Sequence, residues 1–260
     1  MAATQGLKTS LGACWLGVAV LASAPSAAAL QVCVGDVPVP PFLSGDPNHP
    51  GITERLLLDA GRQVGLQIEL LRWPARRCYE QMRLGVVEAG VGAAVAANLQ
   101  EFDFPGGAQA DPQFRIARTA ILLVKRQDSA IVWDGRQLEG PGGGSLRIGA
   151  RAGFRAGIEA IHRLGHELTP GPNQTVQLLR MLQVGRLDLA VVVQEEAETL
   201  LARREFSGLS VLAPPLLISD FYIMTIRQLP ETQRQLVKRW WEQIAQWRDL
   251  PAYRPILSGP

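Results

Sequence analysis

The chain has 260 residues, 47% of them hydrophobic and 19% charged, with 26 basic against 24 acidic side chains. Such a balance gives a globular chain with enough apolar mass for a core, and it excludes intrinsic disorder. A net charge of +2 is also too small for a nucleic-acid surface or a polybasic membrane patch.

In chain order, residues 1–29 read as a secretory signal peptide. A lone charge, Lys8, precedes the apolar run Leu11–Ala22, and Ala27-Ala28-Ala29 offers small residues for cleavage. The run is too short for a bilayer span, which needs roughly 20 apolar residues. The mature chain then starts near Leu30, is exported to the periplasm, and keeps two cysteines, Cys33 and Cys78. An even pair in an exported protein points to a disulfide closing a loop of about 45 residues; two buried free thiols are the alternative.

Leu30–Val34 is a short β-branched strand that leads into the proline-rich stretch Val37–Phe42. Thr53–Val64 has helical spacing, with Leu56, Leu57, Ala60 and Val64 on one face, Thr53 as N-cap and Gly65 as stop. Gln67–Leu71 is a second strand and Arg76–Leu84 a helix. Val86–Val95 is a buried strand of small residues, as expected where another group comes close to the backbone. This β-α-β-α-β order predicts a parallel sheet. A further strand, Ala120–Val124, precedes a break at Asp134-Gly135 and Gly140–Gly144. The grammar then repeats: strand Leu146–Ala150, helices Arg155–Leu164 and Val176–Val184, strand Leu187–Val193 and helix Glu195–Arg204. Val211–Leu212 and Phe221–Ile226 read as strands, and Glu231–Trp247 as a long amphipathic helix on which Trp240 and Trp247 share a face.

These motifs, in this order, resemble the type II periplasmic solute-binding proteins, specifically solute-binding protein family 3. The points of likeness are Pro40-Pro41-Phe42 after the first strand, Gly51-Ile52 opening the first helix, Trp73-Pro74 with Arg76-Arg77-Cys78, Phe104-Pro105, Arg147-Ile148-Gly149 with Gly153-Phe154, and Gly185-Arg186-Leu187-Asp188. They span nearly the whole mature chain. The resemblance implies an α/β fold of two lobes with two parallel or mixed sheets, joined by two hinge segments and closing on a solute. Lobe 1 would comprise 30–121 plus 220–260, and lobe 2 would comprise 122–219.

Ligands of open α/β sheets bind at the carboxyl ends of strands. That rule and the resemblance together make Phe42, Trp73, Arg76, Arg77, Asn98, Gly153, Phe154, Glu195 and Tyr222 the expected ligand-binding residues. Arg76 and Arg77 open a helix, where guanidinium groups and free N–H groups together suit an anion, so the expected solute is small, polar and anionic. The turn Gly149–Gly157, with Arg151 and Arg155, offers backbone N–H groups to the same end. Two amino-acid anchors that the resemblance implies are missing. Ala93–Glu101 holds no carboxylate-clamping arginine, and Val193 stands where an ammonium-binding aspartate would be, with Gln194 and Glu195 beside it. The expected solute is therefore not a standard α-amino acid, or is one bound in a different pose.

The sequence shows no G-x-S-x-G or H-E-x-x-H motif, and His162 and His166 lack further metal ligands near them. No enzyme activity, cofactor, metal or nucleic-acid partner is expected. The resemblance implies a monomeric binding protein that delivers its solute to the membrane permease of an ABC importer. Two other roles fit the same cleft: a dehydratase-like periplasmic enzyme, of which cyclohexadienyl dehydratase is an example, with Glu195 or Asp220 as its acidic group, and a sensor that docks on a membrane receptor.

Overall fold

The computed structural model describes residues 1–2 and 29–253. The leader reading and Cys14 fall on residues outside the described ones. The first half of the chain comprises β1 (Leu30–Gly35), α1 (Ile52–Gln63), β2 (Ile68–Trp73), α2 (Ala75–Arg83), β3 (Ala89–Ala93) and α3 (Ala96–Glu101). The long strand β4 (Ala117–Arg126) leads to a small hairpin, β5 (Val132–Trp133) and β6 (Leu138–Glu139). Next come β7 (Ile148–Ala150), α4 (Arg155–Arg163), β8 (Leu168–Thr169), α5 (Thr175–Gln183), β9 (Leu189–Val193) and α6 (Gln194–Leu201). β10 (Leu209–Thr225) runs back to the first half, and α7 (Glu231–Arg248) covers it.

One eight-stranded sheet, in the order β2-β1-β3-β10-β4-β9-β7-β8, carries both halves. The two half-sheets expected from the sequence are present as parallel groups, β2-β1-β3 and β9-β7-β8. The antiparallel pair β10 and β4 joins them edge to edge. The register fixes what meets in the middle. Ala93, the last residue of β3, lies opposite Phe221, while Val193, the last residue of β9, lies opposite Ile121, which pairs with Leu217. Phe221 and Leu217 are four residues apart on β10, roughly 13 Å. The carboxyl ends of both half-sheets therefore converge on the centre of the crossing pair.

β10 is a single strand where the sequence suggests two short ones. Pro214 and Pro215 imply a break, but the ladder shifts register between Leu212 and Leu217 and resumes. Proline has no N–H for a ladder, and a bulge is where a strand tolerates it. β3 confirms the expected close approach: a Cβ on Gly90 would lie 2.7 Å from Met82 Sδ, and one on Gly92 would lie 2.8 Å from Met224 Sδ.

The core is mainly aliphatic. One cluster gathers Leu30, Val32, Leu56, Leu57, Met82, Ile223 and Ile244; two others gather Ile121, Ile148 and Val191, and Val124, Leu178 and Leu187. Trp240 is fully buried and donates its indole N–H to Leu57 O at 3.0 Å, which clamps α7 to α1. Trp241 and Trp247 pack half-buried against the same cluster.

The helix α1 starts one residue before Thr53, with Gly51 as its N-cap. Glu54 is fully buried. Its carboxylate accepts from Gly51 N at 2.7 Å and from Ser44 N at 3.0 Å, and it ion-pairs with Arg72. This carboxylate pins the loop that carries Phe42. Thr53, expected to cap the helix, is released from that work.

Cys33 on β1 and Cys78 on α2 form a disulfide, with Cα atoms 5.7 Å apart. Closing a loop of this length stabilises a chain by about 3–4 kcal/mol through the unfolded state. The double variant Cys33→Ala/Cys78→Ala should melt about 10 °C lower in a thermal scan. An unchanged melting temperature would show that the crosslink does not stabilise the fold.

Candidate functional site

The carboxyl ends of β1, β3, β7 and β9 open into a cavity of about 170 Å³ between the two halves. It is lined by Gly35 at the end of β1 with Asp36 and Phe42 beyond it, Ala93 at the end of β3, Arg151 just after β7, and Val193 at the end of β9 with Glu195 beyond it. Thr119 and Phe221 form its floor on the crossing strands. This is the place the strand-end rule assigns to a ligand in an open α/β sheet. A larger depression of about 590 Å³ lies elsewhere, between Phe102–Ala108 and α7. None of the residues expected to bind lines it.

Five of the expected residues reach the central cavity: Phe42, Asn98, Gly153, Phe154 and Glu195. The other four do not, and each has a geometric reason. On α2, Ala75 and Tyr79 face the cavity. Residues one and two positions beyond Ala75 are turned about 100° and 200° around the helix. Arg76 therefore points to solvent and pairs with Glu80 at 2.9 Å. Arg77 lies over the Trp73 ring, 4.2 Å from its centroid, which removes both from the cavity. Tyr222 is turned away by strand alternation. It is buried edge-on to Phe104, and its neighbour Phe221 takes the cavity side. Burial, with Asp220 nearby, pushes the Tyr222 hydroxyl up to about 12.

Gly153 holds a backbone φ of +80°. A Cβ there would lie 2.7 Å from Arg76 N and 3.2 Å from Ala75 Cβ. The turn before α4 thus rests directly on the start of α2, one half against the other. Two further side chains cross the cleft to α3. Glu159 accepts from Ala96 N at 2.9 Å, and Arg155 donates to Asn98 Oδ1 at 2.7 Å and pairs with Glu101 at 3.0 Å. The Arg155 guanidinium also lies 4.0 Å from the Tyr79 ring centroid.

Asn98 is consequently spent on the protein. Its Nδ2 donates to Ala93 O at 2.8 Å and its Oδ1 holds Arg155. Arg151 is engaged as well, 2.8 Å from the buried carboxylate of Glu196, which also accepts from Thr175. Asp220, the other acid considered, is gripped bidentately by Arg118 at 2.7 and 2.9 Å and lies 3.7 Å from Arg115.

Two cavity carboxylates differ from these. Glu195 accepts from the Thr119 hydroxyl at 2.6 Å and has no ion pair among the described residues. Its burial pushes the carboxyl above the usual range, with the Thr119 hydrogen bond opposing and neighbouring Glu198 and Glu196 adding to it. Asp36 is exposed at the rim, also without an ion pair among the described residues. Thr53 lines the same cavity, and its buried hydroxyl finds no hydrogen-bond partner among the described residues. Sequence reasoning missed Thr53 and Tyr79. The i, i+4 spacing of Ala75 and Tyr79 was the available signal for the second.

The fold has close counterparts among solved structures. A histidine kinase sensor domain with similarity to periplasmic binding proteins matches with a TM-score of 0.67 at 18% identity, over 86% of this chain and 92% of that one. The substrate-binding protein of an amino-acid ABC transporter gives 0.64 at 16%, over 86% and 96%. The amino-acid ABC transporter substrate-binding protein AbpA from Streptococcus pneumoniae, bound to L-arginine, gives 0.64 at 11%, over 88% and 93%. No protein-family model matches the chain, and no curated protein matches it in sequence. The chain has the two-lobed fold of the type II periplasmic binding proteins, and no helix among its described residues is long and apolar enough to cross a membrane.

The Gly153 contact can be tested directly. Gly153→Ala should cost about 1–2 kcal/mol for the left-handed backbone and force the turn off α2. Small-angle scattering should then show a larger radius of gyration with unchanged circular dichroism. An unchanged radius would show that the turn is not what holds the halves together.

Proposed function

We propose that the chain is a solute-binding protein that holds a small cationic solute between its two lobes. The lobe boundaries read from the sequence, 30–121 with 220–260 and 122–219, divide the cavity walls between them. The observation that carries the reading is the cation-free carboxylate of Glu195 inside the cavity. Asp36 adds a second acid at the rim. The expectation of an anionic solute is withdrawn. It rested on Arg76 and Arg77, which face away from the cavity, while Arg151 and Arg155 are already paired with acids. Neighbours of this fold are named in complex with L-arginine and with L-glutamate, so the sign of the charge rests on this cavity and not on the fold.

As a working role, the protein captures its solute in the periplasm and presents it, as a monomer, to the permease of an ABC importer. The sensor domain among the neighbours supports signalling to a membrane receptor as the second reading.

The pH dependence follows from Glu195. Its folded-state pKa is raised, so this group favours the folded chain below that pKa and opposes it once ionised. A bound cation favours the ionised form and pulls the pKa down. Cation affinity should therefore fall as pH drops through the raised pKa, beginning above the range of an ordinary glutamate. Glu195→Gln should raise the melting temperature of the uncomplexed chain at pH 7, and should weaken cation binding roughly 10–100-fold, the worth of a charged hydrogen bond. Calorimetric titration with L-arginine, agmatine, L-glutamate and succinate, at several pH values, reads both effects. Preference for glutamate or succinate would overturn the reading, as would full cation affinity in Glu195→Gln.

A further inference from the structure

The charges around the cavity say more than that the solute is cationic. Three carboxylates, Asp36, Glu195 and Glu196, face two guanidiniums, Arg151 and Arg155, so the lining has a net charge of −1 when all are ionised. The two cations are not available to a ligand. Arg151 is 18% exposed and paired with Glu196, whose side chain is 2% exposed. Arg155 is 17% exposed and held by Glu101, Asn98 and the Tyr79 ring. A solute carboxylate reaching either arginine would have to displace one of these acids. The displaced acid would be left buried without its partner, a strongly unfavourable arrangement.

The first turn of α4 offers a carboxylate backbone N–H groups alone, with Phe154 as N-cap and no side-chain cap. A helix terminus without a free cation contributes only modestly to holding an anion. The walls that remain suit an ammonium with an apolar body. Glu195 and the Thr53 hydroxyl, which has no hydrogen-bond partner among the described residues, can accept N–H groups. Phe42 and Phe221 line the cavity with no cation stacked on either ring among the described residues, and such ring faces attract alkylammonium groups.

We propose that the cavity takes an organic amine, a cationic nitrogen on an apolar or aliphatic body with no carboxylate beside it, and discriminates against the corresponding α-amino acid. This rests on the cationic-solute reading above. The site would therefore sort decarboxylated amines from the amino acids that share their side chains.

Matched pairs that differ only in the carboxylate provide the test: agmatine and L-arginine, cadaverine and L-lysine, phenethylamine and L-phenylalanine, each titrated calorimetrically into the oxidised mature chain. In at least one pair the amine should bind tenfold or more tightly. Glu101→Gln, which lies outside the cavity and removes the acid that neutralises Arg155, should narrow that ratio by raising affinity for the amino acid. Tighter binding of the amino acid in every pair that binds would overturn this inference while leaving the cationic site standing. Binding of L-glutamate or succinate in preference, or of no member of any pair, would overturn both.

Discussion

Everything in this molecule hangs on the pairing of β4 with β10. Among the described residues, these two strands form the backbone ladder that links the parallel groups of the sheet. Because β3 joins β10 and β9 joins β4, both antiparallel, the two parallel groups run in opposite senses. In a flat sheet with matched registers their carboxyl ends would sit at opposite edges. The offset along β10 changes that outcome. β3 is paired with Phe221–Thr225 and β9 with the level of Leu217 and beyond, so both groups end near the middle of the crossing strands. A binding cleft then follows from topology, since strand ends expose the loops and helix starts that touch ligands. The bulge at Pro214 and Pro215 lies beyond that midpoint and leaves the pairing at Phe221 and Leu217 intact.

Into this cleft the sequence delivers a particular charge pattern. Both lining arginines are satisfied by acids of the chain, one from α6 beside it in space and one from α3 across the cleft. The acids at Glu195 and Asp36 have no such partners among the described residues. Burying Glu195 without a cation is costly, and its raised pKa is the thermodynamic trace of that cost. Thr119 offsets part of it with a hydrogen bond from a crossing strand. Stability is sacrificed where a site must attract a complementary charge.

Much of the fold was legible in the sequence. Apolar runs of β-branched residues marked β1, β4 and β9, the helical stripe marked α1, and two cysteines found each other 45 residues apart. The small residues of β3 announced the side chains of Met82 and Met224 pressing on them. The site was read less well because side-chain direction turns on single residues. One step along β10 exchanges Tyr222 for Phe221, and one or two steps along α2 take Arg76 and Arg77 away from the cavity that Ala75 and Tyr79 face. The role of Asn98 and the neutralisation of Arg155 depend on partners more than fifty residues distant, which no local pattern encodes. The anionic expectation lost its support at that step: a count of arginines near the strand ends does not reveal which of them already have acids.

The contacts across the cleft bear on how a solute would act. Gly153 on α2, Glu159 on Ala96 and Arg155 on Asn98 and Glu101 are direct contacts of protein on protein between the halves. A solute therefore need not bridge the halves itself. What it must supply is a differential interaction, one stronger when the halves are together than when they are apart. On the cationic reading proposed above, Glu195 would provide this. With the halves apart its carboxylate is hydrated and gains little from a cation, whereas with the halves together it is desolvated and gains more, because Coulomb attraction grows as the local dielectric falls. A cation is thus favoured in the closed arrangement by the same burial that makes that arrangement costly for an ionised Glu195 alone. An anion would add its own repulsion to that cost and favour separation. On that cationic reading, the sign of the charge on the solute, more than its shape, would decide whether the halves are drawn together or driven apart.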